Sequence, residues 1–260
     1  MSEKTSIEDV TFLIPVRVDS IVRLENIMLV TDFLLTHFET SIHLLEATAY
    51  NNKVLERLLP SGVNITFVED HDPVFHRTKY INQLVERSST PYLAVWDTDV
   101  IVSPDQLIQS VNLLRNEEAD FVYPYEDKFL DTSSILRELY IKSRDLDLLK
   151  EHAGKMKELY SPNPVGGGFL AEREAYIKSG MENEHYYGWG REDGDRLNRW
   201  EILDFTVERV PGPLFHLTHD RGENSTFHAE EQKNIKISEI YRIASMSKKE
   251  LGEEVNSWRG

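Results

Sequence analysis

The chain has 260 residues, which permits one large α/β domain, or a domain with a modest appendage, and a core that is stable without cross-links. Its net charge of −16 and isoelectric point near 5.0 disfavour nucleic-acid binding, because phosphates need a basic surface. The chain has no cysteine, so disulfides and thiolate metal sites are excluded and any metal must be held by oxygen and imidazole.

The N-terminal segment, MSEKTSIEDVTFLIPVRV, is polar first and apolar only over a short run. It has neither the basic region nor the longer apolar region of a signal peptide. No window of the sequence approaches the ~20 apolar residues that span a bilayer. We therefore expect a cytoplasmic protein without a transmembrane segment.

The first half of the chain alternates between strand and helix patterns. Apolar, β-prone runs predict strands at 11–18, 41–50, 63–68, 92–96 and 120–125. Helical spacing of apolar residues predicts helices at 20–37, 78–87 and 104–115, with a short helix ending at residue 59. This alternation favours βαβ units and a mostly parallel central sheet flanked by helices.

The second half of the chain differs from the first in its residue composition and pattern. Residues 131–160 are polar with a helical pattern and indicate an exposed helical insertion. Glycine and aromatic residues then cluster, as they do where backbone passes close to a ligand. Residues 229–251 form a charged amphipathic helical pattern. We expect one catalytic domain over 1–228 and a helical C-terminal tail over 229–260.

Two aspartates one residue apart end the apolar run YLAVWDTDVIVSP. Ligands of open α/β sheets lie outside the carboxyl ends of the strands, where Asp97 and Asp99 would lie. Two converging carboxylates repel each other unless a cation lies between them. The pair therefore indicates either a divalent-metal site or an ordinary turn that uses aspartate for local hydrogen bonds.

Two histidines stand three residues apart in the segment PLFHLTHDRGENS. Neutral imidazole is a common ligand of manganese, zinc and related ions. A single histidine there would more often be structural, but two in one segment make His216 or His219 a candidate third ligand beside the aspartates.

The segment GWGREDGDRLNR places an indole between two glycines and follows it with acids. Sugars pack their C–H faces on aromatic rings, and their hydroxyls seek carboxylate acceptors. An aspartate beside a sugar hydroxyl also acts as a general base. Acids that complement a helix dipole are the alternative, which explains Glu192 and Asp193 in part but leaves the G-W-G unexplained.

These segments resemble, in their order, glycosyltransferases of the β-1,4-galactosyltransferase family. The matching segments are IPVR (14–17), FHRTKYIN (75–82), WDTD (96–99), VGGGFLAERE (165–174), GWGREDGDRLNR (188–199) and HLTH (216–219). The resemblance covers most of residues 11–225 and is strongest in the G-W-G-x-E-D motif. It implies a GT-A fold, which is Rossmann-like, with a divalent cation, Mn²⁺ or Mg²⁺, as cofactor and a UDP-sugar as donor.

The resemblance also implies a role for each matching residue. Donor-binding roles fall on Pro15, Arg17, Phe75, Arg77, Lys79, Asp97, Gly167 and Gly168. Metal-binding roles fall on Asp99 and His219, with His216 and Asp97 as further candidates. Trp189 would pack on donor and acceptor from a mobile loop, Asp193 would be the catalytic base, and Glu192 would assist recognition.

Three positions depart from the family pattern. Gly194 stands where the family has an acid that grips the acceptor sugar, and Arg191 replaces a glycine. His216 stands where family members often have methionine, which makes two metal-binding histidines plausible.

The expected activity is inverting transfer of a galactose-type hexose to a glycan or a lipid-linked glycan. The second acceptor would bring the enzyme to the inner face of a membrane. A metal-dependent nucleotidyltransferase or hydrolase, and a non-catalytic glycan-binding protein of the same fold, are the alternatives.

Overall fold

Two β-sheets organise the fold in the computed structural model, which describes residues 4–126, 128–220, 222 and 230–258. The strands are β1 (Thr5–Val16), β2 (Phe38–Thr48), β3 (Val63–Glu69), β4 (Tyr92–Trp96), β5 (Val100–Ile101), β6 (Phe121–Tyr123), β7 (Phe129–Asp131), β8 (Lys157–Leu159), β9 (Gly168–Glu172), β10 (Val207–Arg209) and β11 (Leu214–His216). The helices are α1 (Ile21–His37), α2 (Val54–Leu58), α3 (Arg77–Glu86), α4 (Pro104–Arg115), α5 (Ser134–Ser143), α6 (Leu146–His152), α7 (Arg173–Lys178), α8 (Glu192–Ile202), α9 (Glu230–Ala244) and α10 (Lys248–Ser257).

The larger sheet has the strand order β10-β6-β9-β4-β1-β2-β3. Neighbouring strands run parallel except where β9 lies antiparallel between β4 and β6. The prediction of a mostly parallel α/β sheet flanked by helices is therefore confirmed. Strands β1 and β4 are central, and residues 10–16 of β1 and 93–96 of β4 are buried on both faces, as expected when helices cover both sides of a sheet.

Local signals place the helices that follow the central strands. The Ser20 hydroxyl accepts a hydrogen bond from the backbone N–H of Arg23 and caps α1. Ser103 and Gln106 form a reciprocal capping box at the start of α4, with Pro104 at its first position. The predicted start of α4 is confirmed.

The smaller sheet has the order β5-β11-β7-β8, and its strand β5 follows shortly after the carboxyl end of β4. Its strands are only two or three residues long. The segment 131–160, predicted as a helical insertion, contributes α5 and α6 but also strand β8, which pairs antiparallel with β7. The division into domains stays a prediction, and its boundary at 228–229 lies outside the described residues.

The C-terminal region differs in detail from the single helix expected over 229–251. It folds as two helices, α9 and α10, because Ser247 and Glu250 form a capping box that starts a new helix. Ile243, Leu251 and Val255 make a small separate core that packs on α8 through Ile202 and Leu203. None of the helices within the described residues has the length and apolar character needed to cross a bilayer.

Candidate active site

A cleft of about 510 Å³ lies at the carboxyl ends of the central strands. Most residues that the sequence singled out line it: Pro15, Arg17, Phe75, Arg77, Asp97, Asp99, Gly167, Trp189, Glu192, Asp193, His216 and His219. Lys79 and Gly168 do not line the cleft. The fold therefore gathers segments that are more than two hundred residues apart in sequence into one concave site.

The smaller sheet brings the second aspartate of the D-T-D segment to the histidines. Strand β5 pairs antiparallel with β11, which puts His216 opposite Val100. The backbone N–H of Leu217 donates to the Asp99 carbonyl at 2.7 Å. These bonds hold Asp99, His216 and His219 together at one wall of the cleft.

The three side chains form a cluster with metal-binding geometry. The Nε2 atom of His219 lies 3.1 Å from Asp99 Oδ2, and the Nε2 atom of His216 lies 3.7 Å from Asp99 Oδ1. One ligand atom from each residue lies within 4.8 Å of the other two. One carboxylate and two imidazoles suit a borderline divalent cation such as Mn²⁺.

Both histidines have an oxygen beside the ring nitrogen that faces away from Asp99. His216 Nδ1 lies 2.8 Å from Asp131 Oδ1, and His219 Nδ1 lies 2.8 Å from the Asp220 carbonyl oxygen. An acceptor at Nδ1 holds a proton there, which leaves Nε2 as the atom of each ring that could bind a cation. This is the arrangement of histidines prepared to bind a cation.

The pKa values of Asp99 and His219 are shifted in the directions expected for an acid and a base in close contact. Burial opposes ionisation of Asp99, but His216 and His219 outweigh it and hold the pKa of this carboxyl well below its usual range. The hydrogen bond to Asp99 raises the pKa of His219. Arg23 Nη1, 4.0 Å from Asp99 Oδ2, adds a further positive group at the edge of the cluster.

Asp97, the first aspartate of the D-T-D segment, has a partner of its own. Arg77 Nη2 donates to Asp97 Oδ1 at 2.6 Å. Burial raises the pKa of Asp97, and the charge of Arg77 partly opposes this rise. Asp97 thus faces an arginine while Asp99 faces histidines, and Asp97 is not part of the cluster that could hold a metal within the described residues. Arg77 Nη1 is buried with no hydrogen-bond partner there.

The G-W-G segment leads directly into helix α8. Gly188 and Gly190 adopt φ angles of 76° and 102°, a region that favours glycine, and Arg191 follows with φ 78°. Glu192 and Asp193 then form the first turn of α8. These acids stand at a helix N-terminus, as the dipole interpretation expects, and they also line the cleft, where the sugar-contacting and base roles stay predictions.

The two acids at the start of α8 have different surroundings. Burial and the neighbouring charge of Asp193 raise the pKa of Glu192 to about 7. Asp193 Oδ1 accepts from Arg196 Nη2 at 2.6 Å, and Arg196 is itself buried and bonded to Glu182 at 2.8 Å. The Asp193 side chain is 31% exposed, and its Oδ2 lies 3.0 Å from where a Cβ on Gly166 would stand.

Arg17, which the sequence predicts to bind the donor, supports the wall of the cleft through its hydrogen bonds. Its guanidinium donates to the backbone carbonyls of Ala47, Asp72 and Pro73 and forms an ion pair with Asp70. The same group lies 5.5 Å from the centre of the Phe75 ring. Arg17 therefore anchors the loop that presents Phe75, and a direct contact with a nucleotide stays a prediction.

The two predicted glycines have separate structural reasons. Gly167 adopts φ 84° and lines the cleft, and its carbonyl accepts from the backbone N–H of Asp97 at 2.9 Å. Gly168 faces the indole of Trp96, where a Cβ would lie 2.6 Å from a ring carbon. Gly168 is thus explained by packing, and the exposed Lys79 lies near Tyr80, outside the cleft wall.

The sequence did not predict several residues that belong to the site or support it. They are Arg23, Asp131, Arg196, Lys236 and Ile240. Helical spacing of three residues from Asp193 was a usable signal for Arg196. The other four reach the site only through tertiary packing.

Comparison with known proteins agrees with this geometry. Residues 153–221 match the family model described as the N-terminal domain of galactosyltransferase. That segment contains the glycine-rich strand, the G-W-G loop, the start of α8 and both histidines. No curated protein matches the chain significantly.

Solved structures similar to this chain include glycosyltransferases from two organisms. The catalytic domain of Drosophila β1,4-galactosyltransferase 7, in complex with xylobiose, has a TM-score of 0.57 at 18% identity, over 90% of this chain and 79% of that one. A mutant of that enzyme, with manganese, UDP-Gal and xylobiose, has a TM-score of 0.54 at 18% identity, over 89% and 79%. Glucosyl-3-phosphoglycerate synthase from Mycobacterium tuberculosis, with Mn²⁺, UDP and phosphoglyceric acid, has a TM-score of 0.53 at 14% identity, over 91% and 78%. Residues 153–221 are thus similar to a galactosyltransferase domain, and the chain as a whole has the fold of the GT-A glycosyltransferases.

Proposed function

We propose that the protein is a metal-dependent inverting glycosyltransferase that moves a galactose-type hexose from a UDP-sugar to a glycan hydroxyl. The observation that carries this proposal is the set of side chains that line the cleft. One wall has the Asp99–His216–His219 cluster, and the same cleft is lined by Glu192 and Asp193. A cation site for a diphosphate and a carboxylate for an attacking hydroxyl are the two parts that this reaction needs.

The cluster fits a divalent cation, for which Mn²⁺ is the first choice and Mg²⁺ the second. Imidazole ligands favour Mn²⁺, because Mg²⁺ prefers oxygen. Asp99, His216 and His219 would hold the ion, and Asp131 would orient His216. When bound, the ion supplies Lewis-acid stabilisation of the negative charge on a departing diphosphate. The Mn²⁺ complexes of the similar structures support this assignment.

Asp193 is the proposed general base. Its carboxylate takes the proton of the acceptor hydroxyl while that oxygen forms a bond to the anomeric carbon and the bond from that carbon to UDP breaks. Attack from the face opposite the leaving UDP inverts the anomeric configuration. Arg196 fixes the orientation of Asp193 through its 2.6 Å hydrogen bond, and Glu192 contributes to recognition of the acceptor.

The remaining residues of the cleft would hold the donor and the acceptor. Pro15, Phe75 and Arg77 line the cleft at the strand ends and would contact the nucleotide, and Arg77 offers a buried N–H that lacks a partner within the described residues. Trp189 would pack against a sugar ring. A glycan is the proposed acceptor, and a lipid-linked glycan would be met by a cytoplasmic enzyme at the inner face of a membrane.

Calorimetric titration of the purified protein with UDP tests the proposal, first with Mn²⁺ and then with EDTA. We expect binding that requires the metal, followed by release of UDP when UDP-sugars and glycans are supplied together. Absence of UDP binding under both conditions would contradict the proposed function. Glycan binding that needs neither nucleotide nor metal would instead favour a non-catalytic glycan-binding protein.

A further inference from the structure

Helix α9 packs against the loop that carries Trp189, although it begins after the end of the segment that matches the galactosyltransferase family. Lys236, in the middle of this helix, is only 3% exposed. Its Nζ donates a hydrogen bond to the backbone carbonyl of Trp189 at 2.6 Å. A buried ammonium is costly unless it is paired, so a lysine at this position indicates a specific use.

The surroundings of Lys236 connect it to the acids of the cleft. Burial lowers the pKa of Lys236, and the nearby carboxylate of Glu192 opposes this fall. Glu192 in turn faces Asp193, Arg77 and Lys236, the first of which raises its pKa while the two cations lower it. Lys236 is thus bonded to the backbone of the G-W-G loop and is near enough to Glu192 to influence its charge.

Two other residues of α9 hold neighbouring parts of the same loop region. Ile240, one helical turn after Lys236, lines the cleft, and its Cδ1 lies 3.3 Å from where a Cβ on Gly194 would stand. Glu239 Oε1 accepts from Asn183 Nδ2 at 2.8 Å and lies 3.2 Å from His185 Nδ1. The helix therefore contacts the chain before, within and after the G-W-G motif.

We infer that α9 is part of the active site, and that Lys236 is a positioning residue that holds the Trp189 loop over the cleft and provides a counter-charge to Glu192. Gly188 and Gly190 give the loop its conformational freedom, and the Lys236 hydrogen bond restricts that freedom to one arrangement. This inference rests on the proposed function for its effect on catalysis, whereas the restraint on the loop can be measured without turnover.

Lys236→Met tests the inference, because it keeps the length of the side chain and removes both the donor and the charge. Lys236→Arg, which keeps both, is the conservative variant. Lys233→Met is the matched control, because Lys233 lies on the same helix, is 39% exposed and pairs only with Glu230 among the contacts described. Thermal melts of all three confirm folding before kinetics are measured.

We expect Lys236→Met to lower kcat at least about tenfold while UDP affinity with Mn²⁺ stays within about twofold of wild type. The limb of the pH–rate profile that depends on Glu192 should shift to higher pH, because loss of a nearby cation raises the pKa of that carboxyl. Lys236→Arg should recover most of the activity and the original limb, and Lys233→Met should match wild type.

Hydrogen exchange of the backbone amides over 187–191 separates this inference from the proposed function. Faster exchange in Lys236→Met, with the rest of the chain unchanged, supports the restraint even if no transferase activity is found. Unchanged exchange together with wild-type kcat and pH profile would overturn the inference. Equal loss of activity in Lys236→Arg and Lys236→Met, again with unchanged exchange, would also overturn it.

Discussion

Two adjacent acids, Glu192 and Asp193, differ because of what each one touches. Glu192 is 5% exposed and its Oε2 is buried with no hydrogen-bond partner among the described residues, so burial raises its pKa to about 7. Asp193 is partly exposed to the cleft and is held by the Arg196 guanidinium. Paired carboxylates whose environments differ in this way commonly have separate roles in catalysis. Of the two acids, Asp193 has the greater access to the cleft, which agrees with its proposed role as the base.

The Asp193→Asn variant should still bind UDP in the presence of Mn²⁺ but should transfer the sugar far more slowly. The amide retains the shape of the side chain but cannot accept the acceptor proton, so we expect kcat to fall by about 10²- to 10⁴-fold. Asp147→Asn, on the exposed surface of α6, is the matched control and should retain wild-type turnover. Steady-state kinetics and calorimetry on both variants make the comparison, and near wild-type turnover in Asp193→Asn would show that another group is the base.

At the scale of elements, the sequence predicted those whose pattern is local. The second half of β1 and the whole of β4 are largely apolar runs, and α4 has its Ser103–Pro104 start signal, so each is visible in a short window. Strands β5, β7, β8 and β11 have only two or three residues each, too few to show a period of two. The neighbours of β9 depend on distant pairing, which no local window contains.

The residues of the candidate site also fall into two groups, those visible in a short window of sequence and those that meet only through tertiary packing. Asp97, Asp99, Glu192 and Asp193 were predicted because acids that follow an apolar strand or a G-W-G segment are conspicuous. Lys236 was not predicted, since one lysine on a charged helix has no signal until the helix is packed on the loop. Asp131 was missed for a related reason, because it meets His216 only through the pairing of β7 with β11.

The substitution Gly168→Ala tests how closely strand β9 packs against Trp96 of strand β4. A methyl group at this position would lie 2.6 Å from the Trp96 indole, and both strands β4 and β9 are hydrogen-bonded on each side, so neither can move easily. We expect a loss of about 1–3 kcal/mol in the free energy of unfolding, measured by urea denaturation.

Gly154→Ala is the matched control for this substitution. A methyl group on Gly154 would meet no heavy atom within 4 Å, and the φ of Gly154 is not in the left-handed region. We expect the free energy of unfolding to be unchanged or raised by up to about 1 kcal/mol. Equal stability of Gly168→Ala and Gly154→Ala would contradict the packing described for Trp96.

At the scale of the whole molecule, the site exists only when distant parts of the chain are folded together. The cleft is lined from Pro15 in β1 to Ile240 in α9, and its candidate cation site joins Asp99 to two histidines of the second half of the chain. The unfolded chain cannot present such a cluster. Any ligand of the cluster therefore binds the folded state and stabilises it by mass action.

Mn²⁺ should for this reason raise the melting temperature of the protein, and EDTA should reverse the rise. At a free Mn²⁺ concentration one hundred times the Kd, the stabilisation is about 2.7 kcal/mol, which corresponds to about 5–10 °C for a chain of this size. His219→Ala should remove the rise, because it deletes the imidazole that lies 3.1 Å from Asp99. His71→Ala, at an exposed histidine that pairs with Glu69, should keep it. Calorimetric melts of the three proteins measure the effect, and a wild-type Tm that Mn²⁺ leaves unchanged would remove the cluster from consideration as a cation site.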